Sequence, residues 1–171
     1  LSAAGVLLLS WLLFPAVATM VMGFFIDRIA AAAEARDYPN LTPPRRTSVA
    51  EAAVMTLRLM GLTIFLNLLA LPLYVLLPGI NLFVFFGLNG YLFGREYFEV
   101  VALRRLDLTA TQAARHRFGA RVFLGGLMIA GLFALPLVNL VAPAIATIFM
   151  VHLFQSLRRF EPNLQASGAG C

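Results

Sequence analysis

Residues 70–79 read Ala-Leu-Pro-Leu-Tyr-Val-Leu-Leu-Pro-Gly, and they interrupt an apolar block that carries no charge from position 59 to position 94. Residues 134–143 read Ala-Leu-Pro-Leu-Val-Asn-Leu-Val-Ala-Pro and lie in the middle of another uncharged block, residues 122–157. Proline has no backbone N–H and its ring clashes with the preceding helical turn. Each block is therefore predicted to form two helical arms that break at the prolines, and the shared tetrapeptide indicates a weak internal repeat.

The predicted arms are too short to cross a membrane. An arm of about 13 to 15 residues gives about 20 to 22 Å of helix, whereas the hydrocarbon core is about 30 Å thick. The segments between the arms, residues 73–77 and 137–142, carry no charge, although an aqueous loop is usually polar. Both tips are expected at membrane depth, where protein or a water-filled cavity satisfies the bent backbone. Two re-entrant hairpins are the favoured interpretation, and two tilted, slightly short full spans are the alternative.

The charged residues divide the chain. Nine of them fall between positions 27 and 58 and nine more between positions 95 and 121, whereas residues 1–26 carry none. That first block has the length of a membrane-spanning helix, and apolar residues at three-and-four spacing extend it to about residue 38. It starts without Met or a basic leader, so a longer N-terminal part is expected. The sequence predicts an all-α integral membrane protein with five parts: a transmembrane helix with a cytoplasmic extension (1–38), a helix and the first hairpin (48–94), a polar connector helix (95–121), the second hairpin (122–157) and a tail (160–171).

The composition excludes several classes of protein. Of the 171 residues, 61% are hydrophobic and only 12% are charged, about half the charged share of a soluble domain. All 13 basic residues are arginine, so the chain has neither the lysine of a P-loop nor an amine for a Schiff base. The single Cys171 and the two histidines, His116 and His152, 36 residues apart, predict no disulfide and no metal site. We expect a lipid bilayer around the chain, no cofactor and no nucleic-acid partner.

An enzyme is the class that the residues favour least. No nucleophile, base and orienting group occur together in the sequence, and Glu96 with Glu99 is a close pair of carboxylates. Two acidic residues three apart on a helix are more typical of surface charge than of acid–base catalysis.

Both hairpins return their ends to one side of the membrane, so all the arginines share that side. The positive-inside tendency makes it the cytoplasmic face. Ser48 with Glu51, and Thr109 with Gln112, both have the spacing of a capping box at a helix start. An arginine stripe follows the second of these pairs, and it is expected to meet water or lipid phosphate: Arg115, Arg117 and Arg121.

Charged residues begin abruptly at the end of the first hairpin. Arg95 and Glu99 are four residues apart on one helix face, and Arg104 follows about a turn and a half later, so a shared ionic network is predicted. Glu96 lies beside them in the sequence. Unpaired charges in hydrocarbon are costly, which favours a water-filled vestibule or a subunit contact, and an ordinary interfacial salt bridge is the alternative.

The prolines at the tips predict two half-helices that start inside the membrane, at Pro78-Gly79 and at Pro143. A helix N-terminus offers unpaired N–H groups and the positive end of its dipole to an anion. Asn81 and Asn139 lie beside these starts and are candidate hydrogen-bond donors, with arginine as the natural partner at the entrance. Asparagine that bonds a neighbouring helix is the alternative.

Five segments, taken in order, resemble the CysZ sulfate permease family, whose superfamily also contains the eukaryotic etoposide-induced membrane proteins. The likeness runs from about residue 14 to residue 159, and these segments carry it: Glu34 with Tyr38-Pro39, Pro78-Gly79-Ile80-Asn81, Gly94-Arg95-Glu96-Tyr97, Arg117-Phe118-Gly119, and residues 136–143 from Pro136 to Pro143.

The resemblance implies a protein of the bacterial inner membrane that admits sulfate for cysteine synthesis. It implies two long transmembrane helices, two hairpins that enter the membrane without crossing it, and assembly as a homo-oligomer. The sulfate-associated Gly-hydrophobic-Arg motif of that family is expected ahead of Leu1. A path for sulfate or another oxyanion would then be lined by Asn81, Arg95, Glu96, Glu99 and Asn139. A membrane-shaping scaffold and a lipid-moving protein are the two rival functions.

Overall fold

In a computed structural model, residues 21–76 and 78–159 are described, and all the regular structure in these ranges is helical. Helix α1 covers 21–37 in its described part. The other helices are α2 (Val49–Leu76), α3 (Asn81–Leu103), α4 (Leu108–Arg117), α5 (Gly119–Ala134) and α6 (Ala142–Arg159), and a single 3₁₀ turn, Pro78–Ile80, precedes α3. The described part of α1 ends one residue before Tyr38. Its membrane-spanning part in residues 1–20 and the tail after residue 159 lie outside the described ranges.

Helix α2 begins with the predicted capping box. The hydroxyl of Ser48 accepts a hydrogen bond from the backbone N–H of Glu51 at 3.1 Å, and the Glu51 carboxylate accepts one from the backbone N–H of Ser48 at 3.2 Å. Arg45 adds an ion pair to the same carboxylate at 2.9 Å. This arrangement satisfies two backbone donors that a helix start leaves without an intrahelical partner.

The predicted helix break at Pro72 is wrong. Helix α2 continues through Pro72 to Leu76, so residues 73–76 are helical rather than part of a bent tip. One proline removes a single N–H donor, and the continued helix still satisfies the remaining backbone groups. The uncharged part of this arm, residues 59–76, therefore has 18 residues, or about 27 Å of helix.

Helix α4 starts one turn after the end of α3, and its cap differs from the prediction. The carboxylate of Asp107 accepts hydrogen bonds from the backbone N–H of Ala110 at 2.7 Å and from the hydroxyl of Thr109 at 2.9 Å. Asp107 is the N-cap, and the expected capping box of Thr109 and Gln112 is not used. Asp107 stands at the N-cap, where a side-chain oxygen can accept from the free N–H groups of the first turn. Thr109 lies inside that turn and is less well placed to do so.

The second hairpin has the predicted form of two helical arms around a non-helical tip. Helix α5 ends at Ala134, residues 135–141 form bends and turns, and α6 starts at Ala142 with Pro143 in its first turn. Proline fits that position because the N–H it lacks has no intrahelical acceptor there. Helices α4 and α5 meet at an angle of 88°.

Helix α3 is the centre of the packing. It runs antiparallel to α5, and glycines bring the two backbones together: a Cβ atom on Gly94 would lie 2.5 Å from the carbonyl oxygen of Val122, and one on Gly126 would collide with the backbone of Gly90 and Gly94. On another side of α3, Phe98 meets Phe154 of α6 edge to face at a centroid distance of 5.7 Å, and both side chains are fully buried. Close approach of this kind at small residues is typical of packed membrane helices.

Within the described ranges, α2 is the one helix that is by itself long and apolar enough to cross a membrane; its 28 residues contain an apolar window with a mean hydropathy of 2.1. The bent pair of α4 and α5 would count as a second span if it were taken as one element. Much of the apolar surface of α2 is exposed, and so are Leu137 and Leu140 in the second tip, at 94% and 90%.

Candidate functional site

Two arginines converge on one buried carboxylate where α3, α4 and α5 meet. The Nε atoms of Arg95 and Arg115 lie 3.1 Å and 3.0 Å from the same oxygen, Oε1 of Glu99. The exposed fractions of these side chains are 13% for Arg95, 11% for Arg115 and 3% for Glu99. The predicted pair of Arg95 and Glu99 is confirmed, and we call the three residues the Glu99 cluster.

A small recess opens beside the Glu99 cluster. Its walls come from the last half of α3, the end of α4 and the start of α5, and it is lined by Tyr91, Arg95, Arg115, Gly119, Val122 and Phe123. In the part of the chain that the structure describes, no side chain caps the start of α5. The recess therefore combines two guanidinium groups with the positive end of a helix dipole, an arrangement that attracts anions.

Arg104 does not belong to this cluster, which corrects the predicted network. Its Nη2 atom lies 3.2 Å from Glu34 of α1, and its Nη1 atom lies 3.4 Å from Asp27. Five residues turn a helix by about 500°, so Arg104 points about 140° away from Glu99 around the α3 axis. Glu99 and Arg104 therefore face different neighbouring helices.

Glu34 is the centre of a second ionic group. Arg105 contacts it through two atoms, Nε to Oε1 at 3.2 Å and Nη2 to Oε2 at 2.7 Å, and both side chains are only 5% exposed. Arg105 also donates to the backbone carbonyl of Thr42. This bidentate pair fastens the end of α1 and the following loop to the end of α3.

The end of α1 also contacts α6. The hydroxyl of Tyr38 lies 2.9 Å from Nδ1 of His152, and Nε2 of the same ring lies 3.4 Å from a carboxylate oxygen of Asp37. Neutral His152 with its proton on Nε2 satisfies both contacts, since Nδ1 then accepts from the tyrosine and Nε2 donates to the aspartate. Within residues 21–76 and 78–159, no three His, Cys, Asp or Glu side chains come close enough together to hold a metal ion.

A family model described as Sulfate transporter CysZ/Etoposide-induced protein 2.4 matches residues 1–143. The chain belongs to this family. The resemblance inferred from the ordered motifs is thereby confirmed, and the family is of the transporter type rather than a family of enzymes. No curated protein and no solved structure matches the chain.

The residues matched to the CysZ/etoposide-induced family include both ionic groups, whereas His152 on α6 lies beyond them. Several of the motif residues have packing or pairing roles: Glu34 holds Arg105, Tyr38 contacts His152, and Gly94 permits the approach of α5.

The structure does not bring all the candidate pathway residues together. Asn81 starts α3, 14 residues before Arg95, which places it about 21 Å away along the helix axis. Its Oδ1 atom is buried and has no hydrogen-bond partner among the described residues. Asn139 lies in the exposed turn between α5 and α6, and the Glu96 side chain is exposed while Glu99 is buried. Only Arg95 and Glu99 of the five are in contact.

Arg115 is the site residue that the sequence reading missed. Its place in the arginine stripe predicts contact with water or lipid phosphate, whereas it is almost buried against Glu99. The two residues are 16 positions apart on different helices, so no helical spacing connects them. One feature of the sequence does indicate a partner for Arg115. The arginine stripe borders an apolar block, and any arginine of the stripe that becomes buried needs an acidic partner.

Proposed function

We propose that this chain is a multi-pass protein of the bacterial inner membrane that moves sulfate into the cytoplasm, where it supplies cysteine biosynthesis. The observation that carries the proposal is the match to the sulfate transporter family over residues 1–143. Assembly as a homo-oligomer within the bilayer is part of the same proposal, since the family resemblance implies it.

The placement of apolar surface supports a membrane position. The uncharged part of α2 provides about 27 Å of helix, close to the thickness of the hydrocarbon core. Leu137 and Leu140 project from the second tip almost fully exposed, and burying each of them in lipid is worth about 1.5 to 3 kcal/mol. With the arginines at the other end of both hairpins, the connector at residues 95–121 faces the cytoplasm in this proposal.

The proposed anion path has charged groups at its mouth and neutral groups near the tips of the two hairpins. Arg95, Glu96 and Glu99 lie at the mouth, and Asn81 and Asn139 lie near the starts of α3 and α6. Conduction requires sites that bind well enough to admit an ion and weakly enough to release it. A carboxylate beside the guanidinium groups supports such moderate affinity, because it offsets part of their attraction for the divalent anion.

Uptake of radiolabelled sulfate into liposomes that contain the purified full chain tests this function. We expect uptake above that of protein-free liposomes, a loss of most of it when Arg95 and Glu99 are both replaced by Ala, and normal uptake for Arg58→Ala, which removes an exposed arginine from α2. Absence of uptake by the wild-type protein would contradict the transport proposal. Wild-type rates in a folded R95A/E99A variant would remove these two residues from the path.

The exposed leucines of the second tip also favour a second candidate, a membrane-shaping or lipid-moving protein. A short apolar tip inserted into one leaflet acts as a wedge, and a polar mouth can take up a lipid headgroup. Electron microscopy of the same liposomes and a fluorescent-lipid scrambling assay separate these functions from transport. Curvature or scrambling without sulfate flux would favour the second candidate.

A further inference from the structure

We propose that Arg95 and Arg115, which both form ion pairs with Glu99, form an oxyanion-binding site in the recess between α3, α4 and α5. The identity of the anion as sulfate rests on the proposed function. The existence of the site rests on the geometry of the Glu99 cluster.

The two arginines contact Glu99 through Nε, which leaves Nη groups available to bind a ligand. Both guanidinium groups approach Oε1 of Glu99 through Nε, the atom nearest the side-chain stem. The Nη groups lie at the far end of each planar fork, and both arginines line the recess. Among the described residues, one Nη contact is present, from Nη2 of Arg115 to Nε2 of His116 at 3.2 Å. The remaining Nη groups are donors of the type that binds tetrahedral oxyanions.

The charges of the cluster do not balance. Two guanidinium groups face one carboxylate, and all three side chains are at most 13% exposed. An excess positive charge that has lost most of its water is costly unless an anion compensates it. A divalent oxyanion in the recess supplies that compensation, which a neutral solute or a metal cation does not.

The rest of the recess suits a small anion. Its cavity volume is about 30 Å³, far less than the roughly 300 to 1,000 Å³ of pockets that hold drug-sized ligands. Gly119, the first residue of α5, is part of its wall, and a Cβ atom at this position would meet nothing within 4 Å. The helix start is thus open to the recess, and its N–H groups and dipole add to the attraction for an anion.

Equilibrium binding of radiolabelled sulfate to the purified full chain in detergent tests the site without requiring transport. For Arg115→Gln we expect an affinity at least about tenfold lower, because a charge-assisted donor is lost. Arg115→Lys keeps the charge beside Glu99 but lacks the fork, so we expect a several-fold loss. Arg117→Gln, which removes an exposed arginine from the same helix, is the matched control and is expected to bind within about twofold of wild type.

Gel filtration and thermal unfolding identify the variants that remain folded. Wild-type affinity in folded R115Q would overturn the site, and wild-type affinity in folded R115K would overturn it if R115Q does not fold. Absence of binding of both sulfate and phosphate by wild-type protein would also overturn it. Binding by the wild type that R115Q weakens, without any uptake in liposomes, would uphold the site and contradict only the transport proposal. Uptake that R115Q leaves unchanged would uphold transport and contradict the site.

Discussion

Glu34 joins α1 to the residues that follow α3, through ion pairs with Arg104 and Arg105. It accepts one hydrogen bond from Arg105 at each carboxylate oxygen and a further one from Arg104 at Oε2, with almost no exposure to water. Removing one partner of a buried ion pair leaves an uncompensated charge, which costs about 3 to 5 kcal/mol.

We therefore expect Glu34→Ala to lower the free energy of unfolding in detergent by about that amount. The control is Arg36→Ala, since the Arg36 side chain is 88% exposed and its contact to Asp37 is long, at 3.8 Å. A surface pair of this kind contributes about 0 to 1 kcal/mol. Equal stabilities for the two variants in denaturant titrations would contradict a structural role for Glu34.

Asp107 gives the start of α4 a dependence on pH. The hydrogen bonds from the Ala110 N–H and the Thr109 hydroxyl hold the pKa of Asp107 below its usual value. A carboxylate with a lowered pKa stabilises the fold fully above its unfolded pKa of about 3.9, and this contribution is lost as the pH falls through the lower, folded value.

Asp107→Ala is expected to cost about 1 kcal/mol at pH 7, as N-cap replacements do. Asp107→Asn is expected to keep most of the cap, because its amide oxygen still accepts a hydrogen bond. The difference between wild type and D107A, measured by thermal unfolding, should shrink below pH 4. A difference that stays constant from pH 7 to pH 3 would disagree with the assigned cap.

At the residue scale, the sequence allowed prediction of contacts within one helix but not of contacts between helices. The ion pair of Arg95 with Glu99 and the box of Ser48 with Glu51 follow from spacings of four and three residues, which helix geometry alone brings together. The partners of Arg104 and Arg115 lie on other helices, and the crossing of those helices is set by packing that no local spacing encodes.

Two glycines control the packing of α3 on α5 at the scale of the elements. A Cβ atom at Gly94 or at Gly126 would overlap backbone atoms of the facing helix rather than a flexible side-chain end. Backbone cannot rotate out of the way, so the helices would have to separate. Overpacking of this kind costs about 1 to 3 kcal/mol.

Gly94→Ala and Gly126→Ala are each expected to lower the thermal unfolding temperature in detergent. Gly131→Ala is the matched control on α5, because a Cβ atom there meets nothing within 4 Å. That variant is expected to gain up to about 1 kcal/mol, since alanine has a higher helix propensity than glycine. A loss of stability in G131A equal to that in G94A would show that helix packing is not the cause.

The repeated tetrapeptide Ala-Leu-Pro-Leu shows how far local sequence determines an element. In the second copy, Leu135 is extended, with φ −91° and ψ 113°, and α5 ends just before it. The residue before a proline prefers this conformation. In the first copy, Leu71 and Pro72 are both inside α2. The same four residues thus end one helix and continue another, so the break in the second hairpin was predictable from its prolines whereas the continuation in the first depended on the surrounding structure.

The arrangement of the whole molecule separates an ionic end from an apolar end. The Glu99 cluster and the Glu34 pairs lie where the hairpins begin and finish, and the tips carry exposed apolar side chains. The all-helical fold and the side-by-side arms could be expected from the alternation of uncharged and arginine-rich blocks. In the proposed membrane position, the depth that each hairpin reaches depends on the length of its arms. The first arms differ in length, because α2 continues through Pro72 to Leu76 whereas α5 ends at Ala134.

The first arm of the second hairpin, α5, is shorter than α2, the first arm of the first hairpin. The tip of the second hairpin therefore provides the sharper test of membrane depth. The uncharged parts of the two arms are residues 122–134 and 142–157, with 13 and 16 residues. They give about 20 and 24 Å of helix, which is less than the hydrocarbon thickness of about 30 Å.

Leu137→Cys, made in a chain with Cys171→Ser, is therefore expected to resist a membrane-impermeant maleimide in both right-side-out and inverted vesicles. Thr109→Cys, at the exposed start of α4, is the control and should react from the connector side only. Rapid labelling of Leu137→Cys from the opposite face would mean that these arms tilt little and cross the bilayer completely, and that the tip lies in water rather than in lipid.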